Sequence, residues 1–259
     1  MPWTFSHPAA VLPLARCSRH LPFVGLVVGS MAPDFGYYVG AFALAHEAHR
    51  PFGLLWLCLP PGLLIVWLLR AWHARFIALV PQPHRAALAT LQPPAALGMR
   101  GWLGMAAAIV VGAATHMLWD ACTHSHGFAV RAWSLLQQPV MEFGGRRLFV
   151  YNTLQHASTV IGLLCLAWAY RRWLRSRQPA AVPDDGLEPL RRRLWLGALA
   201  LAFAVALPWS WFGTEAADGP YRFSIILVSA LIRATALYAL LLLAAAACWP
   251  RAARMARAA

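Results

Sequence analysis

Residues 223–249 read FSIILVSALIRATALYALLLLAAAACW and contain one charged side chain, Arg233. A transmembrane helix needs about 20 consecutive, mainly apolar residues. This run is longer than that, so it predicts a helix that crosses a lipid bilayer. Arg233 is expected either to extend toward the membrane surface or to pair with a carboxylate such as Glu215 or Asp218.

Other apolar runs of sufficient length lie upstream, at 52–72, 101–119, 154–173 and 194–212. The run 21–44 is apolar as well, but Pro33 and Asp34 interrupt it, and 8–15 is too short to cross alone. The sequence therefore predicts an all-α polytopic transmembrane bundle of about six spans with a short N-terminal re-entrant or interfacial helix. We expect residues 1–259 to form a single integral membrane domain.

The composition agrees with a lipid environment. Hydrophobic residues make up 60% of the chain and charged residues 12%, and the mean hydropathy is +0.56. Soluble domains carry about 25% charged and 45–50% apolar residues, so a soluble enzyme is excluded. The net charge of +13 comes from arginines at the ends of apolar runs, as in membrane proteins. They form no basic stripe, so nucleic acid is not an expected partner.

Two further features are expected to be absent. The five cysteines form no Cys-x-x-Cys pair, and three of them lie within apolar runs, so we expect no disulfide framework. The first fourteen residues have no basic segment ahead of their apolar part, so we expect no cleaved signal peptide.

The distribution of arginine predicts the orientation. Seven arginines fall between positions 171 and 193, so the linker at about 174–192 is expected in the cytoplasm. The C-terminus then lies in the cytoplasm, and the loops at about 121–153 and 213–221 are external. The loop 121–153 contains three arginines, which weigh against this orientation. We expect a multi-pass protein of the bacterial inner (cytoplasmic) membrane.

The same topology brings histidines and acidic residues to the outer membrane face. His20, His73 and His84 fall on the arginine-rich side instead. The residues expected at the outer face are His7, Asp34, His46, His49, His116, Asp120, His124, His126 and His156.

The strongest local pattern is Thr115-His-Met-Leu-Trp-Asp120, followed by Thr123-His-Ser-His126. His116, Asp120 and His124 are spaced by four residues, so a continuous helix would place them on one face. Imidazole and carboxylate groups are good zinc ligands. These spacings predict a metal site. The alternative is that Asp120 only fixes the tautomer of His116, or that both face water.

Two further elements offer ligands. Asp34 follows a proline in an apolar run, and two roles that do not exclude each other are open to it: capping a helix and joining the metal site. The sequence Ala45-His-Glu-Ala-His49 has one residue too few between its histidines for a zincin motif. We expect His49 as a single ligand from it, with a solvated cluster as the alternative. His7 and His156 are isolated histidines, and their predicted side of the membrane makes them candidates.

Several blocks of this sequence resemble the bacterial domain-of-unknown-function 4184 family of membrane proteins. They run in order along the chain: MPWTFSHPAAVLPL (1–14), GSMAPDF (29–35), CLPPGLL (58–64), GAATHMLWDACTH (112–124) and LQHAST (154–159). The resemblance implies an integral membrane protein and adds His156 to the ligand candidates. It implies no particular activity.

A more distant resemblance is to predicted membrane-bound metal-dependent hydrolases, which are similar to zinc-dependent phospholipase C and nucleases. It implies a set of candidate ligands: His7, Asp34, His49, His116, Asp120 and His124. The chain departs from the hydrolase pattern in two places. A second acid is missing two residues after Asp34, and His49-Arg-Pro-Phe52 stands where a His-Arg-Gly-x-Thr-His block is expected.

These observations together predict a metal-dependent hydrolase that acts at the outer membrane face on a membrane lipid or another phosphoester. The expected cofactor is a divalent metal, zinc first, that activates a water molecule. Asp34 or Asp120 would serve as the general base. The alternative is a non-enzymatic membrane protein, such as a transporter, a metal-binding protein or an assembly factor, that uses the same polar cluster.

Overall fold

The computed structural model describes residues 3–91, 97–143, 146–177, 182, 184–213 and 222–249. Across those ranges nearly every element is helical, and the one sheet is a two-stranded antiparallel hairpin. The helical architecture predicted from the sequence is therefore confirmed. The predicted loop 213–221 and the C-terminal tail lie almost wholly outside the described residues.

The contacts group the chain into two compact units. The first is drawn from Met1–Gly36, Gly40–Leu68 and Pro94–Ser176, and the second from Tyr37–Val39, Leu69–Pro93 and Arg177–Ala259. The prediction of a single membrane domain stays a prediction.

The α-helices are α1 Phe23–Met31, α2 Phe35–Tyr38, α3 Phe42–Ala48, α4 Leu59–Ala71, α5 His73–Leu79, α6 His84–Leu88, α7 Met99–Thr123, α8 Phe128–Ala132, α9 Val150–Ser176, α10 Glu188–Phe212 and α11 Arg222–Cys248.

The first unit begins with a 3₁₀ helix, Thr4–Cys17. Pro8 and Pro13 lie inside it, and each lacks the backbone N–H that an α-helix would use. A 3₁₀ helix rises about 2.0 Å per residue, so this segment extends about 28 Å. It packs against α1 and α9, and its Val11 is buried beside Leu26 of α1.

Short helices replace a single long one across the apolar run 21–44. α1 ends at Met31, a 3₁₀ turn covers Ala32–Asp34, and α2 and α3 follow. Pro33 has no N–H to donate to the carbonyl four residues back, so the α-helical hydrogen bonding of α1 breaks here. The predicted interruption is therefore present. α1 extends only about 14 Å, which is too short to cross a bilayer.

Two glycines let α1 lie directly against α7. A Cβ atom on Gly29 would lie 2.1 Å from the carbonyl oxygen of Ile109, and one on Gly112 would lie 2.3 Å from that of Leu26. Only glycine permits backbones this close. The contact brings Ser30, in the last turn of α1, and Asp34, just beyond it, beside the C-terminal half of α7.

The predicted external loop, about 121–153, contains regular structure. Helix α8, a 3₁₀ turn at Ser134–Gln137 and the hairpin of β1 (Pro139–Phe143) and β2 (Arg146–Phe149) lead into α9. No strand was predicted here from the sequence. The pairing is local, and Glu142 of β1 lies opposite Arg147 of β2 in its register.

Helices α10 and α11 form the main contact of the second unit. Small side chains, Ala202 and Ala206 on α10 and Ala234 on α11, are buried where they meet. Arg233 donates a hydrogen bond to Ser210 Oγ at 3.1 Å, and its guanidinium lies 4.7 Å from the centre of the Trp209 ring. The two carboxylates considered for Arg233, Glu215 and Asp218, lie outside the described residues.

A buried ion cluster holds the linker before α10 in place. Arg191 is 1% exposed and donates to Ala78 O at 2.7 Å and to both carboxylate oxygens of Asp185. Arg85 donates to the same carboxylate at 3.1 Å. The hydrogen bond from Arg191 holds the pKa of Asp185 well below its usual range. The end of the predicted cytoplasmic linker is thus packed against α5 and α6.

Four helical segments are long and apolar enough to cross a membrane: Leu54–Ala71, Met99–Ala132, Glu188–Phe212 and Arg222–Cys248. The first includes a π-helical turn, Leu54–Cys58, that continues into α4. Helix α9, which contains the predicted span 154–173, is not among the four. The predicted count of about six spans is therefore not confirmed, although the membrane-spanning character of the chain is supported.

Candidate metal centre

Six of the seven predicted ligands converge in the first unit. His7 comes from the N-terminal 3₁₀ helix, Asp34 from the turn after α1, and His49 from the end of α3. The other three, His116, Asp120 and His124, come from the last two turns of α7 and the residue that follows it. The side chains of His7, Asp34, His116 and Asp120 are all buried.

Four ligand atoms alternate around a ring at the centre of this cluster. His49 Nε2 lies 3.4 Å from Asp34 Oδ1 and 3.6 Å from Asp120 Oδ2. His116 Nε2 lies 3.7 Å and 3.4 Å from the same two oxygens. These distances exceed the usual length of an N–H···O hydrogen bond, about 2.7–3.2 Å. Zinc bound at 2.0–2.2 Å holds tetrahedral ligand atoms about 3.3–3.6 Å apart, which is close to the four N–O distances of the ring.

Backbone carbonyls orient both histidines of the ring. His116 Nδ1 lies 2.8 Å from the carbonyl oxygen of Ser30, and His49 Nδ1 lies 2.7 Å from that of Ala45. With the proton on Nδ1, each ring donates outward and turns the lone pair of Nε2 toward the carboxylates. Metal-binding histidines are held in the same way in known sites.

Asp34 is oriented by a side chain from the start of the protein. The hydroxyl of Thr4 donates to Asp34 Oδ2, which leaves Oδ1 facing the two histidines. Among the described residues this carboxylate makes no helix-capping hydrogen bond, so the capping alternative for Asp34 is not what the structure shows.

Several buried atoms of the cluster have no hydrogen-bond partner within the described residues. A buried polar group left without a partner costs about 1–3 kcal/mol, so such a concentration calls for a ligand. The atoms without partners are both ring nitrogens of His7, Asp34 Oδ1, His116 Nε2, Asp120 Oδ1 and His124 Nε2.

His7 lies against the ring without being one of its four members. Its imidazole stacks on that of His116, with the ring centres 3.7 Å apart, and its Nε2 lies 3.6 Å from Asp120 Oδ1. Burial, together with the charge of His116, lowers the pKa of His7 to about 3. His7 is therefore neutral at physiological pH, which is the form that binds metal. Burial alone would lower the pKa of His49, but its contact with Asp34 raises it overall.

His124 reaches the cluster by a different route from the predicted one. α7 ends at Thr123, so the helical ladder of three residues stops after Asp120. The chain bends at His124, and its Nδ1 lies 3.5 Å from Asp120 Oδ1. Asp120 thus has one oxygen toward the four-atom ring and the other toward His7 and His124.

His156 is the predicted ligand that the structure leaves outside. It is exposed on α9, whereas its neighbour Gln155 is buried. One residue along a helix is a rotation of about 100°, so the two side chains face different directions. His46 is likewise exposed, and the structure selects His49 from the pair.

Sequence reasoning missed the groups that orient the ligands. The carbonyls of Ser30 and Ala45 carry no sequence signal, because every residue has one. Thr4 is one of fourteen residues in the opening block 1–14, and its role depends on the 3₁₀ helix packing beside Asp34.

The fold and the cluster together define an α-helical membrane protein with a buried histidine–carboxylate centre. A family model described as Domain of unknown function (DUF4184) matches residues 1–247, so the chain belongs to this family and the resemblance seen in its motifs is confirmed. Comparison with curated proteins found no match, and neither did comparison with solved structures.

Proposed function

We propose that the cluster binds a divalent metal ion, with zinc as the first candidate, and uses it to hydrolyse a lipid or another phosphoester at the outer membrane face. The ring of alternating nitrogen and oxygen atoms is the observation that carries this proposal. Its edges of 3.4–3.7 Å suit ligands around an ion. Imidazole and carboxylate donors favour zinc among the common divalent metals.

The donor set is larger than a closed structural site needs, which leaves room for catalysis. Structural zinc is closed by four protein ligands, whereas catalytic zinc keeps a position for water. Six side chains meet here, and the second oxygen of Asp120 points away from the ring toward His7 and His124. A bound metal would lower the pKa of a water molecule and polarise the scissile group.

In this scheme a carboxylate of the cluster, Asp120 or Asp34, takes a proton from the attacking water. The water oxygen then bonds to the phosphorus or carbonyl carbon, and the ester bond to the leaving alcohol breaks. The proton passes from the carboxylate to that alcohol, which leaves neutral. His7, neutral and in contact with Asp120, is placed to share in this transfer.

The packing around the cluster supports an enclosed site rather than a path through the protein. Toward the start of α7 the space is closed by the backbone contact at Gly29 and Gly112 and by the buried side chains of Ile109, Val28 and Met105. A transporter would need a polar route in this direction. A metal-binding or assembly role without catalysis keeps the same site and is the alternative.

Turnover is expected when the purified protein is mixed with lipid vesicles. Wild type should release headgroup or acyl products, and Asp34→Asn and His116→Ala should reduce the rate about 100-fold or more, because both remove groups of the ring. Mass spectrometry of the lipids measures the products.

His156→Ala is the matched control for the turnover experiment, since this histidine is exposed and outside the cluster. It should keep the wild-type rate. A protein that holds metal but turns over none of a broad panel of lipids and phosphoesters would favour the non-enzymatic alternative.

We further propose that the chain lies in a bacterial inner membrane with α9 as an additional span. Its 27 residues extend about 40 Å, which exceeds the 30 Å of a hydrocarbon core. The N-terminal 3₁₀ helix and α1 would form a re-entrant pair, and they would take the place of the predicted first span. The arginine-rich linker and the C-terminus would then be cytoplasmic.

Reporter fusions at Arg177 and Ser134 test this orientation. The first should report the cytoplasm and the second the outer side, because only the linker is dense in arginine. Should both positions report the same compartment, the cluster would lose its assignment to the outer face.

A further inference from the structure

A groove of about 450 Å³ runs between the N-terminal 3₁₀ helix and α9. One wall is formed by Ala9, Ala10 and Pro13 of the 3₁₀ helix. The other is a stripe along α9 at helical spacing: Leu154, Ala157, Ile161, Cys165 and Trp168. Small side chains on both walls create the space.

The groove reaches the metal cluster at His7. This histidine lines the groove, although its side chain is only 3% exposed, and both of its ring nitrogens lack hydrogen-bond partners among the described residues. The same imidazole stacks on His116. The groove therefore adjoins the site proposed for hydrolysis.

The dimensions of the groove identify what can occupy it. From Leu154 to Trp168 its α9 wall is about 21 Å long. A helix of another protein is about 10 Å across, whereas the two walls leave a groove of about 450 Å³ along this length. The groove therefore suits a single hydrocarbon chain better than a helix.

The exposed rim of the groove favours a hydrocarbon chain that enters from the bilayer. Ile161 is 59% exposed and Trp168 is 64% exposed, and both are large apolar side chains. Trp119 at the cluster end belongs to a segment long and apolar enough to cross the membrane. A lipid could enter sideways without bringing its tail into water.

From these observations we infer that the groove binds one acyl chain of a membrane phospholipid and so places the ester groups of that lipid near His7, beside the cluster. This inference rests on the proposed function. It describes the substrate as a lipid whose tail binds in the groove and whose polar head lies at the metal ligands. The tail supplies binding energy through burial of apolar surface.

Photo-crosslinking tests this without requiring turnover. The full-length protein is placed in phosphatidylethanolamine–phosphatidylglycerol vesicles that contain a phosphatidylglycerol with a diazirine along one acyl chain. After irradiation, mass spectrometry should find the label concentrated on the groove walls. Ala157→Trp and Cys165→Trp each fill the groove and should lower this labelling about tenfold, the change that corresponds to about 1.4 kcal/mol of binding.

Val160→Trp is the matched control, because Val160 is 58% exposed on the same helix and is not among the residues lining the groove. It should leave groove labelling unchanged. Cys165 lies about 12 Å along α9 from Ala157, so the two variants fill different parts of the groove. The metal content of Cys165→Trp should equal that of wild type.

The outcomes separate the two proposals. Groove labelling that the filling variants abolish supports the inference even where the turnover experiment shows no product. Label spread evenly over the apolar faces, or unchanged in both filling variants, overturns it even where hydrolysis is observed. Labelling by a polyisoprenyl phosphate probe but not by the acyl probe would also overturn it, since the occupant would then be a different lipid.

Discussion

Purified protein is expected to contain a stoichiometric divalent ion, and His116→Ala or Asp120→Ala is expected to remove it. His116 Nε2 lies between two carboxylate oxygens at 3.4 and 3.7 Å, and Asp120 faces four histidines of the cluster. Changes to groups that merely orient a ligand cost about 10–100-fold in metal affinity. Loss of a ligand itself should cost more than that. Elemental mass spectrometry and chelator competition give the stoichiometry and the affinity.

Two histidines three residues apart, His46 and His49, provide a close control for metal binding. His49 faces both carboxylates, whereas His46 is exposed on the same short helix. His49→Ala should lower the metal affinity, and His46→Ala should leave it at the wild-type value. Equal losses from these two variants, or wild-type protein without any stoichiometric ion, would reduce the cluster to a structural role.

Gly29→Ala and Gly112→Ala should each strongly destabilise the protein. The added methyl group would lie 2.1 Å from a backbone oxygen in the first case and 2.3 Å in the second, and backbone cannot rotate away as a side chain can. Overpacking usually costs 1–3 kcal/mol, and we expect about 3 kcal/mol or more here. Thermal unfolding in detergent, followed by circular dichroism, measures the loss.

The matched control for the glycine variants is Gly197→Ala, also within a helix. No atom lies within 4 Å of the Cβ that it would add, so it should be neutral or slightly stabilising. The glycine contact also holds Ser30, whose carbonyl orients His116. Where Gly112→Ala still folds, its metal affinity should fall as well. Unfolding of Gly29→Ala at the wild-type temperature would contradict the close approach of α1 and α7.

The sequence predicted those parts of the structure that depend on local patterns. The long apolar runs became helices, and Pro33 interrupted the run 21–44 because its missing N–H acts within one turn. The pairing of His116 with Asp120 followed from their spacing of four residues on α7.

Features that depend on distant contacts or on small rotations were not predictable in the same way. His156 was predicted near the site because of its side of the membrane. Successive residues of a helix are rotated by about 100°, and in α9 it is Gln155, not His156, that is buried. The return of Thr4 to Asp34 depends on a 3₁₀ helix with two prolines packing against α1. The hairpin of β1 and β2 has no long alternating pattern that a single sequence would reveal.

The ligands come from widely separated parts of the chain, so a bound ion would add to the stability of the fold. An ion shared by Asp34 and His116 would act as a cross-link that closes a loop of on the order of 80 residues. By the same chain-entropy reasoning that applies to a disulfide, closing such a loop removes about 4–5 kcal/mol of freedom from the unfolded chain. The N-terminal 3₁₀ helix lies outside that loop, but its Thr4 donates to Asp34 and its His7 stacks on His116. The ion would thus also hold this segment, which lacks α-helical hydrogen bonding, against the centre of the first unit. Chelation would then release this segment before the long helices separate.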